Sequence, residues 1–187
     1  MSALSLVKGE KVDLTKTNAG LKVVALAAGW DINPSASGNY DLDIFAVAAN
    51  KAGKPLSGPK VVYFGNKTGI PGVSLDGDNL TGAGDGDDET ITVELDKVPA
   101  DVESLVLCIN IYEAASRGQR FGMVQNSFIR VYDKATGVEA TRFDLNEDYG
   151  SSTGVVVGKL YRHNSEWKFE AVGTGVNGDI NEIVTNL

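Results

Sequence analysis

Apolar residues in this chain come in short runs separated by clusters of Gly, Pro, Asn, Asp and Ser. Where a run shows a period, the period is two, as in strands, and not 3.6, as in helices. Tyr40-Asp41-Leu42-Asp43-Ile44 alternates strictly. Tyr40, Leu42 and Ile44 share one face, and Asn39, Asp41 and Asp43 the other. Thr90 to Leu95 is rich in β-branched residues, as strands are. Leu21 to Trp30 is mostly apolar, which predicts a strand packed on both faces. Leu105 to Tyr112 is the most apolar run and is expected to be central in its sheet.

Further strands are predicted at Leu4–Leu14 (one strand, or a pair around Lys8-Gly9-Glu10), Lys60–Phe64, Ser127–Tyr132 and Val138–Phe143. Gly154–Arg162 and Glu166–Val172 flank His163-Asn164-Ser165 as a hairpin. Asp31–Gly38, Asn50–Lys54 and Gly65–Gly72 read as loops or turns, and Glu113–Gly122 as a loop or short helical turn. Asn177–Val184 suits a short amphipathic helix capped by Asn177 or Asp179. About ten short strands at this spacing predict an all-β fold, an antiparallel β-sandwich, with residues 1–187 forming one domain.

One stretch departs from this pattern. Of the fourteen residues from Asp76 to Glu89, six are acidic and four are glycine, and no Lys or Arg lies between Lys67 and Lys97. Each extra like charge a few ångströms away costs on the order of 1 kcal/mol even when partly solvated. Two arrangements relieve this: a loop splayed into water, or a cation among the oxygens. Glycines let the backbone aim carbonyls inward, and a hard divalent ion such as Ca²⁺ takes six to eight oxygens. Asp41 and Asp43, two apart on one face, could both reach a cation over the strand end, although the alternation taken alone favours an ordinary polar outer face. The twelve residues Asp78–Glu89 end in Glu like an EF-hand loop, but Leu80 and Ala83 occupy positions where that motif needs a ligand and a glycine.

Composition narrows the partners. A net charge of −8 with no basic stripe argues against nucleic acid and against an anionic membrane surface. One His and one Cys, His163 and Cys108, cannot build an ordinary zinc site. There is no Gly-x-Ser-x-Gly elbow and no phosphate-binding glycine loop of the Walker type. The start lacks a basic region followed by an apolar run, and no stretch of about 18 apolar residues occurs. A cytoplasmic location without membrane insertion is therefore expected.

Several segments in order are similar to the TerD family of tellurium-resistance and general stress proteins. They include Gly29-Trp30-Asp31, Tyr40-Asp41-Leu42-Asp43, Tyr63-Phe64-Gly65-Asn66-Lys67, Gly77-Asp78-Asn79-Leu80-Thr81-Gly82 and Gly86-Asp87-Asp88-Glu89. Further on come Arg117-Gly118-Gln119, Asn126-Ser127-Phe128-Ile129-Arg130 and Leu160 to Phe169. The resemblance implies two neighbouring Ca²⁺ sites with ligands from Asp31, Asp41, Asp43, Asp78, Asn79, Asp88 and Glu89, and carbonyls of Gly82 and Gly84 as additions. It also implies a non-catalytic stress-response role beside related proteins in a membrane-associated complex. Asn39 and Ala83 stand where acidic residues are common, which weakens the second site. The residues alone leave two alternatives open: a metal-dependent hydrolase, and a module whose ligand- or partner-binding surface is ordered by calcium.

Overall fold

The computed structural model describes residues 4–31, 40–58, 60–77, 86–145 and 149–187. Twelve strands are present among them, in two six-stranded sheets. The first sheet contains β1 (Leu4–Ser5), β3 (Val23–Asp31), β6 (Val73–Asp76), β7 (Glu89–Glu94), β9 (Gln125–Asp133) and β10 (Glu139–Asp144), in the order β1-β10-β9-β3-β7-β6. The second contains β2 (Lys11–Asp13), β4 (Leu42–Ala49), β5 (Val61–Val62), β8 (Ser104–Ile111), β11 (Gly154–His163) and β12 (Glu166–Val176), in the order β2-β12-β11-β8-β4-β5.

Two details differ from the sequence expectation. The opening segment is split between sheets. Leu4 and Ser5 pair parallel to Thr141 and Arg142, whereas Lys11–Asp13 pair antiparallel to Glu170–Lys168. The crossing occurs at Gly9, whose φ of 85° suits glycine and whose N–H donates to the Ala171 carbonyl at 2.8 Å. This split and β6, which was not among the expected strands, take the count from about ten to twelve, and β5 has two residues where Lys60–Phe64 was expected.

The apolar runs are explained by what covers them. Inner-facing Leu42, Ile44, Ala46 and Ala48 of β4 join the main core between the sheets, with Leu26, Ile91, Leu107 and Phe169. The outer face of β4 and β8, carrying Phe45, Val47, Ala49, Val106 and Cys108, lies under Ile183 and Val184 of the C-terminal helix α2 (Ile180–Asn186). All eight residues of β4 are therefore buried. Two short helical turns, α1 (Ala114–Arg117) and a 3₁₀ turn at Phe121–Met123, occupy the stretch read as a loop or helical turn.

Asp179, and not Asn177, caps α2. Its carboxylate accepts from the Glu182 N–H at 2.9 Å, and Glu182 accepts from the Asp179 N–H at 2.9 Å, a reciprocal capping box. Asp179→Ala is expected to cost about 1 kcal/mol, read as a lower melting temperature.

Candidate metal centre

The ends of β3, β4 and β7 meet at one corner of the sandwich. Ala28 of β3 pairs with Glu89, the first residue of β7. Just before it, the Asp88 N–H donates to the Ala28 carbonyl at 2.8 Å, and the Asp88 carboxylate accepts from the Trp30 N–H at 2.9 Å. Asp88 thus closes the β3–β7 ladder with both its backbone and its side chain. The Trp30 indole N–H reaches the Tyr40 carbonyl at 3.3 Å, which ties the end of β3 to the start of β4.

Glu89 bridges the two sheets. Its backbone belongs to the first, while its carboxylate accepts the Ile44 N–H of β4 at 2.8 Å. This is possible because β5 covers β4 only at Ala46 and Val47, leaving the edge at Ile44 open to β7. The Glu89 side chain is buried, only 2% exposed. Asp43 and Asp41, which precede Ile44 in the chain, are also buried, at 3% and 9%, so the reading of these two as an ordinary polar outer face is wrong. Residues of α2, 130 positions or more later in the chain, take part in covering that face.

Asp31 ends β3 and is exposed; its carboxylate accepts from the Asn126 side-chain amide at 2.6 Å. Asn126 adopts a left-handed backbone, φ 51°, which asparagine tolerates. Burial holds the Asp88 carboxyl above its ordinary pKa range; Asp87 and Asp31 push the same way, against the Trp30 N–H.

Two carboxylates of the acidic stretch already have cations that the local sequence did not reveal. Asp87 forms a two-pronged pair with Arg130 of β9, at 2.6 and 2.7 Å. Asp76 pairs with Lys134 at 2.9 Å. The charge crowding is thus relieved at those positions and stays at Asp88 with Asp31. Arg130 and Asn126 carry positioning roles that the site reading missed. The available signal was their place in the Asn126-Ser127-Phe128-Ile129-Arg130 segment.

The residues expected to bind metal are only partly placed. Asp31, Asp41, Asp43, Asp88 and Glu89 are brought to this corner. Asp78, Asn79, Gly82 and Gly84 lie outside the described residues. Among the described residues, no three His, Cys, Asp or Glu side chains form a group able to hold a metal ion. The donor chemistry nonetheless fits a hard cation, because every candidate ligand offers oxygen and Asp88 is held protonation-prone by burial and like charge.

The chain matches the TerD domain family over residues 1–187. It is 44% identical over 185 residues to general stress protein 16U of Bacillus subtilis, covering 98% of this chain and 96% of that one. It is 39% identical over 179 residues to the tellurium resistance protein TerD of Serratia marcescens, covering 95% and 93%. Among solved structures, one homologue of telluride resistance protein from Streptomyces coelicolor A3(2) superposes with a TM-score of 0.70 at 24% identity, over 88% of this chain and 96% of that chain. That likeness concerns the fold. A protein of unknown function gives 0.68 at 29% identity, over 88% and 95%. Whole-length matches at this identity, together with the twelve-stranded sandwich, make the chain a member of the TerD family of tellurium-resistance and general stress proteins.

Proposed function

We propose that this protein is a calcium-binding, non-catalytic stress-response protein. The reading is carried by the corner where Asp88 and Asp31 crowd together while Glu89 reaches across to β4. In this reading Asp88, Glu89, Asp31, Asp41 and Asp43 supply carboxylate oxygen, and Asp78, Asn79 and the carbonyls of Gly82 and Gly84 complete one or two sites. A bound Ca²⁺ would supply the positive charge that this corner lacks. The remaining work belongs to the chain itself. Asp87 on Arg130 and Asp76 on Lys134 anchor the limbs on either side of residues 78–85, and Trp30 holds Asp88 in place.

Support for a non-catalytic role comes from the two residues most suited to nucleophilic chemistry. Cys108 is fully buried under α2, and burial pushes its thiol far up. His163 ends β11 at a hairpin, paired in register with Glu166. The names of the relatives favour a role in tellurium resistance and general stress. In this reading the protein acts in the cytoplasm, beside related proteins in a membrane-associated complex. No helix among the described residues is long and apolar enough to cross a membrane.

Calorimetric titration with Ca²⁺, paired with thermal melting in calcium and in chelator, tests this. At a free calcium concentration 100-fold above Kd, stabilisation is about 2.7 kcal/mol, a melting shift on the order of 5–10 °C. A protein whose heat signal and melting both ignore calcium would remove the reading.

A further inference from the structure

Sulfur is scarce in this chain and unevenly placed. The sequence holds two methionines and one cysteine. Met1 lies outside the described residues. Cys108 is fully buried, and burial keeps its thiol from the reactive thiolate form. Met123, by contrast, is 47% exposed. Methionine commonly fills gaps in a core, yet Met123 belongs to neither apolar cluster of this fold.

Its backbone is held in place. Met123 closes the 3₁₀ turn at Phe121–Met123, where its N–H donates to the Arg120 carbonyl at 3.1 Å. Phe121 anchors that turn. Its buried ring meets Tyr149 edge-on at 5.6 Å between centroids, and its N–H donates to the Ser152 carbonyl at 2.7 Å. Two residues after Met123 the chain reaches Gln125, which pairs in register with Asp31 at the end of β3.

The sulfur also has a partner from the interior. The Tyr40 hydroxyl donates to Met123 Sδ at 3.4 Å. Tyr40 is buried, and burial raises its pKa, so the phenol keeps the proton that it donates. A thioether is a weak acceptor. The Tyr40 carbonyl accepts the Trp30 indole N–H at 3.3 Å, and the Trp30 backbone N–H donates to the Asp88 carboxylate at 2.9 Å. A half-exposed methionine is thus joined through Tyr40 and Trp30 to the acidic corner.

We propose that Met123 is an oxidation site whose sulfoxide clasps this corner through Tyr40. The oxidant is a hydroperoxide. An Sδ lone pair attacks the terminal peroxide oxygen; the S–O bond forms as the O–O bond breaks. The proton on the transferred oxygen passes to the leaving hydroxide or alkoxide, which departs as water or an alcohol. Sulfur loses two electrons and the peroxide gains them. The sulfoxide oxygen is a stronger acceptor than the thioether, and the unbranched side chain turns it toward the Tyr40 hydroxyl. Because Met123 lies outside both apolar clusters, the added polarity disrupts no core packing. The oxidised chain holds Tyr40, and through it Trp30, more tightly. The inference does not rest on the calcium reading.

The test treats the full-length protein with hydrogen peroxide in chelator, so that calcium plays no part. Peptide mass spectrometry follows Met123, whose oxidation is expected within about tenfold of the rate for free methionine. The oxidised protein should melt about 2–4 °C higher than the reduced one. Treatment with methionine sulfoxide reductase should restore the original melting temperature. Met123→Leu should show no melting shift with peroxide. Tyr40→Phe keeps the ring but lacks the hydroxyl; it should still be oxidised at Met123 and melt alike before and after. Slower oxidation of Met123 in the parent would overturn the proposal, since the sulfur would then be out of reach. An oxidised parent that melts no higher would overturn it too. So would an equal rise in Tyr40→Phe, because the phenol would then have no part in the effect.

Discussion

Glu89→Gln is expected to lower calcium affinity roughly ten- to a hundredfold while leaving the calcium-free protein nearly as stable as the parent. Glutamine keeps a carbonyl oxygen to accept the Ile44 N–H, which Glu89 meets at 2.8 Å. What it removes is the charge, and each lost anionic ligand weakens a Ca²⁺ site. Glu89→Ala separates the two roles. It leaves the Ile44 N–H without its acceptor between the sheets and opens space at a side chain only 2% exposed. A hydrogen bond to a charged acceptor together with a stranded buried donor amounts to about 3 kcal/mol, or a melting fall on the order of 5–10 °C for a domain of this size. Melting in chelator and calorimetric titration of both variants check this. If Glu89→Gln binds calcium as tightly as the parent, Glu89 is a structural strut and not a ligand.

Gly29→Ala should damage the same corner without touching any candidate ligand. A Cβ at Gly29 would lie 2.4 Å from the Gly86 carbonyl oxygen and 2.4 Å from the Phe128 ring. The ring has little room to yield, because the Arg142 guanidinium sits 3.6 Å from its centroid. The carbonyl belongs to the backbone that leads into Asp87, Asp88 and Glu89. Relief therefore requires that limb to move away from β3, which strains the Asp88 contact with Trp30. The expected cost is about 3 kcal/mol, with weaker calcium binding as a consequence. Gly20→Ala is the control. Its Cβ would meet only Asn18 Oδ1 at 3.6 Å, an ordinary contact, and melting should change by less than about 0.5 kcal/mol. Equal melting temperatures for Gly29→Ala and Gly20→Ala would show that β3 and the acidic limb are not closely packed in solution.

Much of the fold was legible in the residues taken a few at a time. The alternation at Tyr40–Ile44, the hairpin around Asn164-Ser165 and the helix at the C-terminus all follow from interactions within a few positions. So did the choice of Glu89 and Asp88 as residues of interest, because acid and glycine crowd together there. The capping box of Asp179 and Glu182 is also local, though only the folded backbone distinguishes Asp179 from Asn177 as the cap.

The rest depended on elements distant in sequence. Asp87 and Asp76 looked unpaired because no cation lies near them in the chain; Arg130 and Lys134 arrive from β9 and the turn after it. Asp41 and Asp43 alternate like residues of a solvated face, yet both are buried at a face that α2 helps to cover. The opening segment divides between two sheets because β10 and β12 offer free edges there. By itself the sequence determined strand content, turn positions, the acid-rich stretch and the family, since period, caps and composition are short-range properties. Only the tertiary structure decided which carboxylates are neutralised, which are buried and which meet at the corner. Charge pairing and coverage are set by what packs against a residue, and that partner lies far along the chain.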